Sequence, residues 1–275
     1  MQQGICRELK PGIRIENEAI VVNPYEGCDY NCAYCRFRSS RYPVKPHPFI
    51  AKHLEEVLQE NPDLPVIIGA ETEPLGPSEV KQGLTLRCME VLKDQARPYT
   101  ILTKSDLIAI PKYLSQAYYA EVQISFSTPM DYTSRIMEMG APVTHQRLKV
   151  AQILLSHRIK VIARVEPIIP DRPDYWYSLG RREDNRKFVY WHSSLIPLLA
   201  KAGIKEVLVG MARLDLFSID EIKERFGFDL TDFYILSPEQ ILSPGMIYSS
   251  DEEGHYLSEV ESLAKPRKMY VGRLQ

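Results

Sequence analysis

EAIVVNPYEGCDYNCAYCRFR, residues 18–38, sets a short apolar strand directly before three cysteines, Cys28, Cys32 and Cys35. The run at 18–23 has the unbroken apolar middle of a strand buried on both faces. The CxxxCxxC spacing after it gathers three thiols on one loop, and thiolates at short spacing are how a chain holds zinc or an iron–sulfur cluster. Structural zinc sites are usually closed by four protein ligands. Neither a fourth cysteine nor a histidine stands close by in the sequence, which leaves one coordination position unfilled. A cubane cluster on three cysteines keeps one iron free for a substrate or cofactor. A zinc loop completed by a distant histidine, or three buried thiols, are plainer readings of the same residues.

Outward from that loop, apolar runs recur at 64–70 (LPVIIGA), 99–104 (YTILTK), 120–127 (AEVQISFS), 159–165 (IKVIARV) and 205–210 (KEVLVG). Helical periodicity fills the gaps near 47–60, 77–95, 106–117, 143–157 and 184–203, with a last helix near 251–264. Buried strands that alternate with helices predict an α/β protein with a parallel sheet, and six such units predict a partial TIM-type (β/α)6 barrel. The expected organisation is an N-terminal segment at 1–17, the barrel at 18–228 with an inserted proline-rich loop at 167–183, and a C-terminal extension at 229–275 packed on the barrel. Cys88 shares an apolar stripe with Leu84, Val91 and Leu92 and reads as core; Cys6 reads as a bystander thiol.

The 275 residues carry 34 Lys and Arg against 36 Asp and Glu, a formal charge of -2, with 44% apolar and 25% charged residues. This composition excludes disorder and fibrous repeats. No apolar run reaches the roughly 18 residues of a membrane span, and the start MQQGICRELKPG lacks a signal-peptide core, so a cytoplasmic protein without a membrane partner is expected. Five cysteines, an odd number, argue against a disulfide framework. The near-neutral balance gives no general attraction to nucleic acid. Two local basic stretches, Arg36, Arg38, Arg41 and Lys45, then Arg181, Arg182, Arg186 and Lys187, suit a phosphorylated or nucleotide substrate or an acidic electron donor, with solvated charge as the plainer reading.

Several segments resemble one family. NPYEGC at 23–28 with Tyr34 before the last cysteine, ETEPLGPSEVKQGLTLRCMEVLK at 71–93, ILTKSDLI at 101–108, VQISFST at 122–128 and VEPIIP at 165–170 are similar, in order, to the spore photoproduct lyase-like branch of the radical S-adenosylmethionine (radical SAM) superfamily. The likeness covers roughly residues 18–170. It implies one oxygen-sensitive [4Fe-4S] cluster on Cys28, Cys32 and Cys35, whose free iron takes S-adenosyl-L-methionine. Reduced flavodoxin or ferredoxin would supply the electron that cleaves the cofactor to methionine and a 5′-deoxyadenosyl radical, which abstracts hydrogen from an organic substrate.

By motif position the resemblance gives Lys104 to the cofactor's carboxylate, Ser125 to a hydrogen bond with the cofactor, and Ser127 to the same strand face. Thr72, flanked by Glu71 and Glu73, falls where the family binds the amino group, with either carboxylate eligible. Tyr34 is placed near the adenine, and Arg164 with Glu166 ends the fifth strand on the functional side. One departure is Ala70, where spore photoproduct lyase has a hydrogen-donating cysteine. Nucleic-acid lesion repair is therefore the less favoured reading, and a non-catalytic iron–sulfur module is opposed by the intact Lys104 and Ser125. Whether the activity is that of a lyase, a mutase or another modifying enzyme stays open. Tyr175, Trp176 and Tyr177 beside Arg181 and Arg182 in the inserted loop suit a planar or phosphorylated substrate.

Overall fold

The computed structural model describes residues 6–35, 43–168, 192–211, 214, 216–226, 234–235, 247–248 and 250–274. Arg36, Arg38 and Arg41, together with positions 169–183 of the inserted loop and Arg186 and Lys187, lie outside the described residues.

Nine strands form one sheet in which spatial order equals chain order. They are β1 (Arg7–Lys10), β2 (Ile13–Glu16), β3 (Ala19–Val22), β4 (Val66–Ile68), β5 (Tyr99–Thr103), β6 (Ala120–Ser125), β7 (Lys160–Ile168), β8 (Glu206–Met211) and β9 (Tyr270–Arg273). From β3 to β9 every neighbouring pair is parallel, while β1 and β2 add an antiparallel hairpin to the edge of β3. A parallel sheet wound in chain order, with a helix-bearing crossover after each strand, is a barrel wall.

The six expected strands are β3 to β8, and they are strands because Ile20, Val22, Ile68, Ile101, Val122, Ile124, Ala163, Val165, Val207 and Val209 are all buried in one core. Helix α1 (Ile50–Glu60) covers that core with Ile50, Leu54, Val57 and Leu58. The expected helix at 77–95 is broken into α2 (Pro77–Gln82) and α3 (Leu84–Asp94), because Gly83 takes φ 63° between them. Cys88 is fully buried on α3.

The expected helix at 106–117 is likewise interrupted. A 3-10 turn at Leu107–Ala109 precedes α4 (Pro111–Leu114), since Pro111 starts a helix more readily than it continues one. Helix α5 (Asp131–Met137) was not expected; α6 (Thr144–Ser156) was, and Gln146 Oε1 caps its start by accepting the Val143 N–H. Helices α7 (His192–Lys201), α8 (Leu216–Phe226) and α9 (Ser250–Ala264) complete the described set. Among the described residues no helix is long and apolar enough to cross a membrane.

Candidate active site

The residues singled out by sequence gather at the C-terminal ends of the parallel strands, the end where barrels present chemistry. The cysteine loop leaves β3, Glu71 to Glu73 follow β4, Lys104 follows β5, Ser125 ends β6, and Arg164 and Glu166 lie in the second half of β7. Because β6 stops at Ser125, Ser127 lies in the connection beyond it.

The cysteine loop is pinned at several points. Tyr25–Glu26 pairs with Lys45–Pro46, and Asn31–Cys32 pairs antiparallel with Glu138–Met139, setting Glu138 opposite Cys32. Asp29 accepts the Ser78 N–H at 2.8 Å and the Ser78 hydroxyl at 2.9 Å. Arg225 of α8 donates to Asn31 O at 3.0 Å and to Ile136 O at 2.8 Å. A loop held so firmly can present three thiols with little freedom left to lose.

The three thiols sense one another. Burial pushes the Cys32 thiol up to about 12, and Lys104 pulls against that, while the neighbouring Cys28 and Cys35 reinforce it. Burial also raises Cys28, opposed by the backbone N–H groups of Glu73 and Tyr30, which hydrogen-bond its sulfur. Buried thiols held up in this way become thiolates when a metal replaces the proton. Among the described residues no three Cys, His, Asp or Glu side chains converge as a single-ion metal site. The cysteines of a cubane go to three different irons, so a cluster does not require them to converge on one point.

Lys104 stands 6.0 Å from the centre of the Tyr34 ring. Burial lowers its pKa, but Cys32, Glu138 and Glu73 outweigh that and leave it raised, so the ammonium stays charged. Ser127 is 8% exposed and its Oγ has no hydrogen-bond partner. A buried hydroxyl without a partner is uncommon and marks a place for a ligand or water. A fixed cation, an orphan hydroxyl and three thiols without a fourth protein ligand among the described residues together fit a three-cysteine cluster carrying a polar, carboxylate-bearing cofactor.

Glu71 and Glu73 have different surroundings. Glu73 Oε1 accepts the Thr103 hydroxyl at 2.5 Å and the Leu75 N–H at 3.1 Å, and Oε2 accepts the Lys104 N–H at 2.8 Å. Its carboxyl is raised by burial against those donors, and it ties the ends of β4 and β5 together. Gly69 makes that turn possible: at φ +80° an added Cβ would stand 2.6 Å from Pro74. Glu71 instead pairs with Arg14 at 2.9 Å and accepts from Asn23 at 3.3 Å, and the Thr72 hydroxyl donates to Tyr25 O at 3.2 Å. A cavity of about 310 Å³ opens beside Glu71 and Thr72, with Cys6, Arg14 and His47 on its walls. Arg164 donates to Gln123 Oε1 at 3.0 Å and pairs with Glu166, and it lies opposite Ser125 in register.

Sequence reading missed Glu138, Arg147 and Arg225. Glu138 is 0% and Arg147 1% exposed at the side chain, and they form an ion pair at 2.6 Å. Tyr34 donates its hydroxyl to Glu138. A signal for Arg147 existed, since it falls on the buried stripe of α6 with Val150, Ala151 and Leu154, where a charge needs a partner.

Residues 22–174, more than half of the chain, match the family model described as the Radical SAM superfamily, and the chain belongs to that superfamily. The family's cofactors are a [4Fe-4S] cluster and S-adenosylmethionine. An uncharacterized protein of Methanocaldococcus jannaschii is 27% identical over 188 residues, 65% of this chain and 71% of that protein. One of Mycobacterium bovis is 23% identical over 171 residues, and there the chain spans about half (50%) of its relative's length. Among solved structures, a spore photoproduct lyase mutant with bound AdoMet and dinucleoside spore photoproduct aligns with TM-score 0.68 at 14% identity, over 97% of this chain and 78% of that one. SuiB of Streptococcus suis bound to the precursor peptide SuiA aligns with TM-score 0.59 at 15% identity, over 93% and 48% of the two chains. These likenesses show a shared partial-barrel fold.

Proposed function

We propose that this protein is a radical SAM enzyme in which Cys28, Cys32 and Cys35 hold the cluster and Lys104, Ser125 and Ser127 receive S-adenosylmethionine, with Tyr34, Thr72 and Arg164 around it. The observation that carries the reading is the juxtaposition of the cysteine loop after β3 with Lys104 after β5, across β4, at the same end of the sheet as the unpartnered Ser127 Oγ. When bound and reduced, the cluster supplies the electron that cleaves the cofactor's C–S bond, giving methionine and a 5′-deoxyadenosyl radical that takes hydrogen from the substrate.

The chain's own residues bind and orient. Lys104, kept cationic by its anionic neighbours, pairs with the cofactor carboxylate. Glu73 holds the Lys104 backbone so that this ammonium is presented at a fixed place. Of the two carboxylates beside Thr72, Glu71 is the more accessible to an amino group, because its side chain is 35% exposed although paired with Arg14, whereas Glu73 is buried and engaged by three donors. The reductant would be a reduced flavodoxin or ferredoxin, and the substrate an organic molecule, planar or phosphorylated if the aromatics and arginines of the inserted loop read it. Ala70, where spore photoproduct lyase has its cysteine, favours a reaction other than thymine-dimer repair.

Anaerobic reconstitution tests the assignment. About four irons and four sulfides per chain are expected, and replacing Cys28, Cys32 or Cys35 with Ala should abolish them. Stoichiometric zinc without iron in anaerobically isolated protein would refute it.

A further inference from the structure

Glu138 and Arg147 are the most deeply buried ion pair among the described residues, and the chemistry proposed above leaves them without a direct part. One bond from each nevertheless leads to that site, Tyr34 to Glu138 and Arg147 to Ser125 O. Glu138 lies opposite Cys32 in a two-residue bridge, and its carboxylate accepts from Tyr34 as well as from Ser134 at 3.2 Å. Arg147 also donates to Pro142 O at 2.7 Å and to Ser125 O at 2.9 Å. One pair therefore joins the cysteine loop to the end of β6, and through the Tyr34 ring it reaches Lys104, 6.0 Å from the ring centre.

A buried pair is a costly way to hold a loop, since well-packed apolar residues commonly do as well or better. Its location suggests a further use. Glu138 faces Cys32 across the bridge and Arg147 is paired to it at 2.6 Å, so an anion and a cation both stand close to the place where a cluster takes up its electron. Net charge around the cluster and hydrogen bonds to its sulfurs are the protein's levers on its reduction potential.

We propose that Glu138 and Arg147 are positioning residues of the cofactor site, which fix Tyr34 against Lys104 and, as a mutually neutralising pair, set the charge beside Cys32 without touching the cofactor. The proposal rests on the assignment of the cluster to Cys28, Cys32 and Cys35. Neutralising Glu138 leaves Arg147 and Lys104 as uncompensated cations, which favour the reduced, more negative cluster. Neutralising Arg147 leaves the anion and disfavours it. A purely structural pair would show no such opposition of sign.

The test is an EPR-monitored redox titration of the reconstituted full chain, alongside iron content and the dissociation constant for S-adenosylmethionine. Glu138→Gln should move the cluster's potential to a more positive value, Arg147→Gln to a more negative one, and the double variant should return it toward wild type. Tyr34→Phe, which keeps both charges, should leave the potential in place and weaken cofactor binding about tenfold, the scale of one hydrogen bond to a charged group. Should a single-charge variant fail to fold, Tyr34→Phe and the double variant still decide: unchanged cofactor affinity in the first, or a displaced potential in the second, overturns the proposal. Shifts in the same direction for the two single variants overturn it as well. A wild-type protein that holds no cluster removes the site assignment and this proposal together, whereas a loaded wild type with unmoved variants removes this proposal alone.

Discussion

Ser127 Oγ is buried without a partner among the protein's own groups. Removing such a group relieves a penalty of roughly 1 to 3 kcal/mol, so Ser127→Ala should stabilise the cofactor-free protein by about 1 kcal/mol in urea unfolding while weakening S-adenosylmethionine binding. Gains in both stability and affinity would take Ser127 out of the site. Lys104→Ala should leave the iron content intact and lower cofactor affinity by about 10- to 150-fold, the equivalent of roughly 1.5 to 3 kcal/mol for a charge-assisted hydrogen bond. Equilibrium binding to the reconstituted protein reads this directly, and unchanged affinity would contradict it. At this scale the cysteines and Lys104 were legible because each stands in a fixed place relative to a strand. Glu138 and Arg147 were not, because the two are nine positions apart and their partnership arises only when α6 folds back so that Arg147 reaches Glu138.

Elements were legible where burial was continuous. Strands β3 to β8 are short apolar runs that each place at least one full face in the core, β3 being buried throughout. The hairpin of β1 and β2 escaped notice because RELK and IRIE are short, charged and largely half-exposed at a sheet edge, where side-chain pattern carries little information. The same holds for β9, with YVGR largely uncovered. The break between α2 and α3 has a visible origin in Gly83, and its reason is Glu79. That carboxylate, 0% exposed, accepts from Tyr25 at 2.5 Å, Tyr113 at 2.9 Å, and the N–H groups of Thr85 at 2.9 Å and Leu86 at 3.0 Å. It thus caps the start of α3 and anchors Tyr25 ahead of the cysteine loop. Glu79→Ala strands several buried donors and should cost about 3 kcal/mol or more of stability, measured as a lower denaturant midpoint; a midpoint within error of wild type would contradict this role.

Across the whole molecule, the cysteine loop near the start of the chain is closed by a residue almost two hundred positions later. Arg225 of α8 grips Asn31, between the first two cysteines, and the end of α5. Arg225→Ala should therefore shorten the lifetime of the reconstituted cluster toward air and chelator while leaving far-UV circular dichroism unchanged; equal lifetimes would reduce Arg225 to a surface contact. The partial barrel itself was readable from alternation alone, but the long-range ties that make its mouth a site were not, since they join side chains no local pattern relates. Anaerobically reconstituted, dithionite-reduced protein supplied with S-adenosylmethionine should release 5′-deoxyadenosine and methionine, and the variant with Cys28, Cys32 and Cys35 all replaced by Ala should release none. A fully loaded protein that binds the cofactor yet forms no 5′-deoxyadenosine, with or without substrate-rich extract, would contradict the proposed function.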